Sequence, residues 1–189
     1  MDIFLQVWGG VCYLLNKIFL SRAEGVTDGT AWRIGGWVIY LVGLPAWVII
    51  LIIEHNWMAA AVEAGGAPAM VLGVVIAIKG LEHAPKVLRR IAELFAYGLL
   101  AAGTLYSLYD YGGLTTLSQL LEIGVMAGFL IGTCLLAKRR PTGWVWFMLM
   151  NISMGILMTI QAKPILAAEQ VISLCFVIRG FIRSKRTTN

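Results

Sequence analysis

Three residues of the stretch GWVWFMLMN, 143–151, have types and spacing suited to holding a flat polar solute: Trp144, Phe147 and Asn151. On a helix that turns ~100° per residue they fall within about 60° of one another, so two aromatic faces and one amide share a side. Stacking on such rings is worth roughly 1–3 kcal/mol per ring, and a desolvated indole adds about 2 kcal/mol where the solute ring is cationic. Asn151 both donates and accepts, which suits a carboxamide or a hydroxyl. Left unpaired among methionines and leucines its amide would cost roughly 1–3 kcal/mol, so it must meet a partner helix, water or a solute. The same spacing suits an interfacial tryptophan and an interhelical amide, and spacing alone does not separate the two readings.

Trp37 and Tyr40 occupy the matching places in GWVIYLVG, which begins at Gly36, and Leu44 falls opposite Asn151. The other polar groups set in apolar runs are Gln6, Glu93, Glu122, Glu169 and Gln170. Ionisable residues there mark solute routes or face a partner. Glu122 and Glu169 lie about one turn below the outer surface and are expected to face an outer entrance. Glu93, beside KVLRR, is expected to pair with an arginine of that stretch. His55 and His83 read as loop residues. Pro45 removes one backbone hydrogen bond and Gly43 lowers local stiffness, so together they read as a hinge. No paired carboxylates, histidine-rich metal box or nucleophile motif is visible, which argues against an enzyme and leaves no cofactor or metal to expect.

The elements that must position these groups are membrane helices. Of the 189 residues, 59% are hydrophobic and 13% charged, too apolar a balance for a water-soluble domain. Apolar runs approach the roughly 20 residues that a helix needs to cross ~30 Å of hydrocarbon. Seven spans are expected, at about 3–20, 32–53, 57–78, 91–109, 117–137, 142–161 and 164–182, with no soluble domain between them. A cleaved signal peptide is disfavoured, because the chain opens with Asp2 rather than a basic segment and the first run ends in Asn16 and Lys17. Cys12, Cys134 and Cys175 lack metal-type spacing and read as small buried hydrophobes.

All but Lys163 of the 15 lysines and arginines fall in alternate connections or the carboxyl tail. By the positive-inside rule the amino terminus is outside and the carboxyl terminus cytoplasmic, which requires an odd number of spans. The formal charge of +5 therefore serves orientation and contact with lipid headgroups, not nucleic acid. The expected location is the cytoplasmic membrane of a bacterium.

An internal repeat organises the chain. GWVIYLVG aligns with GWVWFMLM from Gly143, VLGVVIAIKG from Val71 with VISLCFVIRG from Val171, and LQVWGGVCYLL from Leu5 with LEIGVMAGFLI from Leu121, which sets Gln6 on Glu122. The expectation is an all-α integral membrane protein in one transmembrane domain. Residues 1–80 form a first three-helix repeat, 81–116 a connector helix, and 117–189 a second, parallel repeat, with any solute site between the repeats near the midplane. The same alignment sets Glu63 on Lys163 and so puts it at the outer edge, with the embedded part of the third span starting near AGGAP.

EIGVMAGFLIGTCLLAKRRPTGWVWFMLMN, 122–151, resembles the PnuC family of vitamin-precursor transporters. That family's second repeat has an acidic residue before a glycine-bearing span, a basic loop, and then Trp-x-x-Trp-x-x-x-Asn/Asp. Here the motif reads Trp144, Phe147, Asn151, with Phe147 in place of the second tryptophan. The closing FVIRGFIRSKR is also similar. The resemblance implies a seven-span fold akin to the SWEET sugar transporters and facilitated diffusion of nicotinamide riboside, thiamine, riboflavin or a related nucleoside-like solute. It also implies trapping by a cytoplasmic kinase and a homo-oligomer, often a trimer. A sugar or other small polar solute is the rival reading that a SWEET-like repeat alone allows.

Overall fold

The computed structural model describes residues 3–24, 26–53, 57–162 and 164–186, the side chains of 57, 58 and 165 excepted. Asp2, His55 and Lys163 lie outside the described residues. The described residues form eight helices: α1 (Ile3–Ala23), α2 (Thr30–Ile53), α3 (Trp57–Gly65), α4 (Ala67–Lys79), α5 (Lys86–Asp110), α6 (Leu117–Ala137), α7 (Thr142–Ile160) and α8 (Pro164–Arg186). No strand occurs among the described residues. Among the described residues six runs are long and apolar enough to cross a membrane, with α3 and α4 counted together as Ala59–Lys79. The eighth helix has 23 residues, about 35 Å, and ends in Arg183, Lys185 and Arg186. Isoleucine and valine side chains such as Val42, Ile52, Val145 and Ile152 cover the outside, as lipid as solvent requires.

Two boundaries differ from expectation in ways that matter. The first span runs to Ala23, three residues beyond the expected end at 20, because SRA continues the helix. The third span is broken at Gly66, where Pro68 opens α4, so its two parts are separate helices.

Local chemistry stops and starts the helices. The Thr116 hydroxyl accepts from the Gln119 backbone N–H at 3.2 Å and caps α6. The buried Gln119 side chain then ties down the preceding turn, donating to Ser107 O, Ser107 Oγ and Gly113 O at 3.0–3.2 Å. Gly80, at φ +83°, ends α4 and donates to Ile76 O at 2.9 Å. Arg139, at φ 57°, closes α6 by letting Arg140 donate to Leu135 O at 2.9 Å.

Packing follows a closed order. α1 lies on α2 and α2 on α4; α6 lies on α7 and α7 on α8; α4 meets α6, and α1 meets α8. α5 lies outside this ring against α3, α4 and α6, with only Ala92, Ala96 and Gly103 buried. Small residues permit the closest approaches. A Cβ on Gly36 would come 2.9 Å from Leu20 Cδ2, and one on Gly143 would come 2.8 Å from the Leu136 nitrogen. The α1–α2 and α6–α7 pairs also touch at Gly43 against Cys12 and at Gly128 against Met150.

The basic connections gather at one end of the bundle. Glu24 and Arg33 form an ion pair at 3.0 Å, and Arg139 reaches across to Ile76 O at 3.5 Å. Burial, with the Arg33 guanidinium nearby, holds the Arg139 guanidinium below its ordinary range. Glu93 pairs with Lys138 of the α6–α7 turn rather than with an arginine of KVLRR, because that turn lies over the first turns of α5. Cys12 and Cys134 are buried as expected, whereas Cys175 is exposed, since it lies on the outward side of α8.

Candidate functional site

Four rings from four helices converge inside the bundle: Tyr13 of α1, Tyr40 of α2, Phe129 of α6 and Phe147 of α7. Tyr40 packs edge-on against Tyr13, with centroids 6.0 Å apart, and against Phe129 at 6.2 Å. The Lys17 amine sits among them, 3.6 Å from the Phe147 centroid, 4.5 Å from Tyr13 and 4.6 Å from Tyr40. Lys17 is fully buried and its Nζ has no hydrogen-bond partner among the described residues. A charged ammonium there would cost several kcal/mol unless something favourable faced it, and the ring faces are the main compensation visible. The sequence reading set Lys17 at the inner membrane surface. Lys17 lies six residues, about 9 Å, before the end of α1, three of them beyond the expected span.

Polar atoms without hydrogen-bond partners crowd the same region. Asn16 donates from Nδ2 to Gly36 O at 2.9 Å, while its Oδ1 is left over. The Tyr40 hydroxyl and Thr133 Oγ1 are neighbours without hydrogen-bond geometry. Tyr13 donates to Met150 Sδ at 3.8 Å and lies near Ser173, whose Oγ is also unpartnered. Native interiors leave few such atoms, so this density at one place suits a polar occupant.

The triad read from sequence is buried together on α7, at 1%, 0% and 2% exposure for Trp144, Phe147 and Asn151. Trp144 packs on Phe147 at 6.4 Å and edges against Gly180 of α8, so it is an internal ring and not part of an interfacial belt. Asn151 is near the middle of α7, with Nδ2 donating back to Phe147 O at 2.7 Å and Oδ1 unpartnered. Trp37 packs on Gly73 of α4, and Tyr40 completes the ring cluster.

Asn151 and Gln170 together line a cavity of about 460 Å³ between α7 and α8, a size that suits a small solute. Apart from Thr159 its wall is otherwise apolar, and its rim carries the exposed Ile152, Ile156 and Val171, so it opens on the outer surface of the bundle between α7 and α8. The remaining residues of the sequence reading are spread more widely. Glu169 is half-buried beside Gly10 at the α1–α8 seam, with Oε1 unpartnered. Gln6 is half-buried nearer the start of α1, and Glu122 is exposed on α6, away from the ring cluster. Helix α2 runs unbroken through Pro45, and Gly43 fits the close approach of Cys12. Glu63 on α3 is half-buried and within electrostatic reach of Lys17, Tyr13 and Tyr40.

Sequence reading missed Lys17, Asn16, Tyr13, Thr133 and Phe129. The alignment of LQVWGGVCYLL with LEIGVMAGFLI sets Tyr13 on Phe129, so that aromatic pair was discoverable from the alignment. Compared with family profiles, curated proteins and solved structures, the chain matches none.

Proposed function

We propose that this protein is a facilitated-diffusion transporter of a vitamin-precursor or nucleoside-like solute with a planar ring, a member of the PnuC type, built as two parallel three-helix repeats joined by α5. The observation that carries the reading is the ring cluster: two rings from each triplet, surrounded by buried polar atoms that lack partners. Flat solutes gain from ring faces, and their amide or hydroxyl groups gain from Asn16, Thr133 and Asn151.

Three observations support the repeat. Tyr13 and Tyr40 correspond to Phe129 and Phe147 in the alignment, so the cluster is close to symmetric in kind. The Gly36–Leu20 contact corresponds, with no gap in the alignment, to Gly143–Leu136, and Gly43–Cys12 to Met150–Gly128. The seams correspond too, α4 on α6 answering α8 on α1. A pocket at the junction of such halves is reached from each side in turn as one half rocks against the other.

The basic loops at one bundle end support a cytoplasmic carboxyl terminus.

Uptake into proteoliposomes tests the reading, with labelled pyridine, thiazolium and isoalloxazine solutes compared with sugars. Saturable flux of a ring solute that persists without a proton or sodium gradient is expected. Flux of sugars alone would favour the SWEET-like reading, and no saturable flux for either class would remove the transporter reading.

A further inference from the structure

The cavity between α7 and α8 has two acceptors at its deep end and no donor for them. Asn151 Nδ2 is spent on Phe147 O, which fixes the orientation of the amide and leaves Oδ1 without a partner. Gln170 Oε1 on α8 is unpartnered as well, and the two residues are 2% and 9% exposed. The remaining wall is apolar except for Thr159, whose hydroxyl donates to Gly155 O at 2.8 Å, so no other wall side chain has a proton to give these oxygens. Space is left because Gly155 presents no side chain to it: the nearest atom to the place of its missing Cβ is Gln170 Cβ, at 3.5 Å. From Asn151 to Ile160 the cavity follows α7 for about 13 Å. In a membrane its mouth, rimmed by Ile152, Ile156 and Val171, meets hydrocarbon and not water.

We infer that this cavity binds a neutral amphiphile drawn from the bilayer: an alcohol whose hydroxyl donates to Gln170 Oε1, with Asn151 Oδ1 as second acceptor, and whose apolar body lies along α7 toward Ile160. The site is a different space from the ring cluster and does not depend on the transporter reading. A buried acceptor without a donor is costly, and no water arrives through a hydrocarbon-facing mouth to satisfy it. A hydroxyl carried in by a lipid-phase molecule therefore gains there what a plain hydrocarbon does not. Both oxygens lie beneath the cavity surface, and a turn of the terminal amide of Gln170, whose last torsion is broad, brings Oε1 to the incoming hydroxyl. A phospholipid fits poorly. Its headgroup would lose its hydration at the depth of Asn151, the middle of α7, and its acyl chains carry no donor. The same desolvation cost disfavours a charged amine or carboxylate head, which leaves the neutral hydroxyl.

Photolabelling tests this. The full chain in nanodiscs of zwitterionic phospholipid is irradiated with 3-azioctanol, an alkanol carrying a diazirine, and the labelled residues are located by mass spectrometry. Label is expected on 152–160 and 167–174. Excess 1-decanol is expected to suppress it about tenfold more effectively than decyl methyl ether, which has the same body and no proton to donate. Gln170→Leu is expected to remove most of that difference. Gly155→Leu fills the space and is expected to abolish label on both segments, with a cooperative thermal melt retained. Equal suppression by alcohol and ether in the wild type would make the cavity a place of general lipid contact and overturn the inference. So would label spread evenly over outward side chains such as Val42 and Val145, or absence of label from the two segments. Label that appears there only when the protein is diluted to a monomer would assign the cleft to a second copy of the chain and overturn it equally. Should Gly155→Leu fail to fold, the alcohol and ether comparison in the wild type decides. None of these measurements reads flux, so the transporter reading stands or falls separately.

Discussion

Lys17 Nζ lies 3.6 Å from the centroid of the Phe147 ring, which joins an amine on the first helix to an aromatic face on the seventh. Phe147 also fills the space over Gly132, where a Cβ would approach its ring to 2.6 Å. Phe147→Leu keeps most of this volume while removing the π face. It is expected to weaken ring-solute binding by about tenfold, near 1.4 kcal/mol, as titration of tryptophan fluorescence would measure. Unchanged affinity would take Phe147 out of the site.

Asn151 separates stability from binding. Its Nδ2 donates to Phe147 O within the same helix, so removing the amide leaves little unsatisfied behind. Asn151→Leu is expected to leave thermal stability within about 1 kcal/mol of wild type and to weaken solute binding about tenfold. A large fall in melting temperature with unchanged affinity would mark the amide as interhelical glue.

The glycine contacts predict opposite results at two positions. Gly143→Val drives side-chain atoms into the Leu136 backbone and is expected to destabilise the bundle by roughly 1–3 kcal/mol. Gly98 has nothing within 4 Å of its missing Cβ, so Gly98→Ala is expected to be neutral or to stabilise by up to about 1 kcal/mol. Thermal melts in one detergent would check both.

The Lys138–Glu93 pair crosses from the α6–α7 turn to α5, with the Glu93 side chain 46% exposed. Water and ions reach the carboxylate, so a double-mutant cycle with Lys138→Ala and Glu93→Ala is expected to return less than about 1 kcal/mol of coupling. The figure should fall further as salt is raised.

Much of the architecture is legible along the chain. Apolar runs declare the long helices, because hydrocarbon thickness is met by local length and hydropathy alone. The Trp144, Phe147 and Asn151 face is legible because helical geometry converts spacing into direction. Exposure of Glu122 was not, since a carboxylate near a helix end looks alike whether its face meets a partner or the surroundings.

Lys17 marks where sequence reading stops. A lysine near the end of an apolar run looks interfacial until the following residues are seen to continue the helix, and nothing local says that Tyr40 and Phe147 come to meet it. The amino-acid order alone determined a helical bundle of membrane character and one aromatic–amide face on α7. Tertiary structure decided which rings share a space, which polar atoms lack partners and where the cavity opens. The reason is that hydropathy and helical phase are properties of single segments, whereas a buried amine and its ring cage exist only where several helices meet.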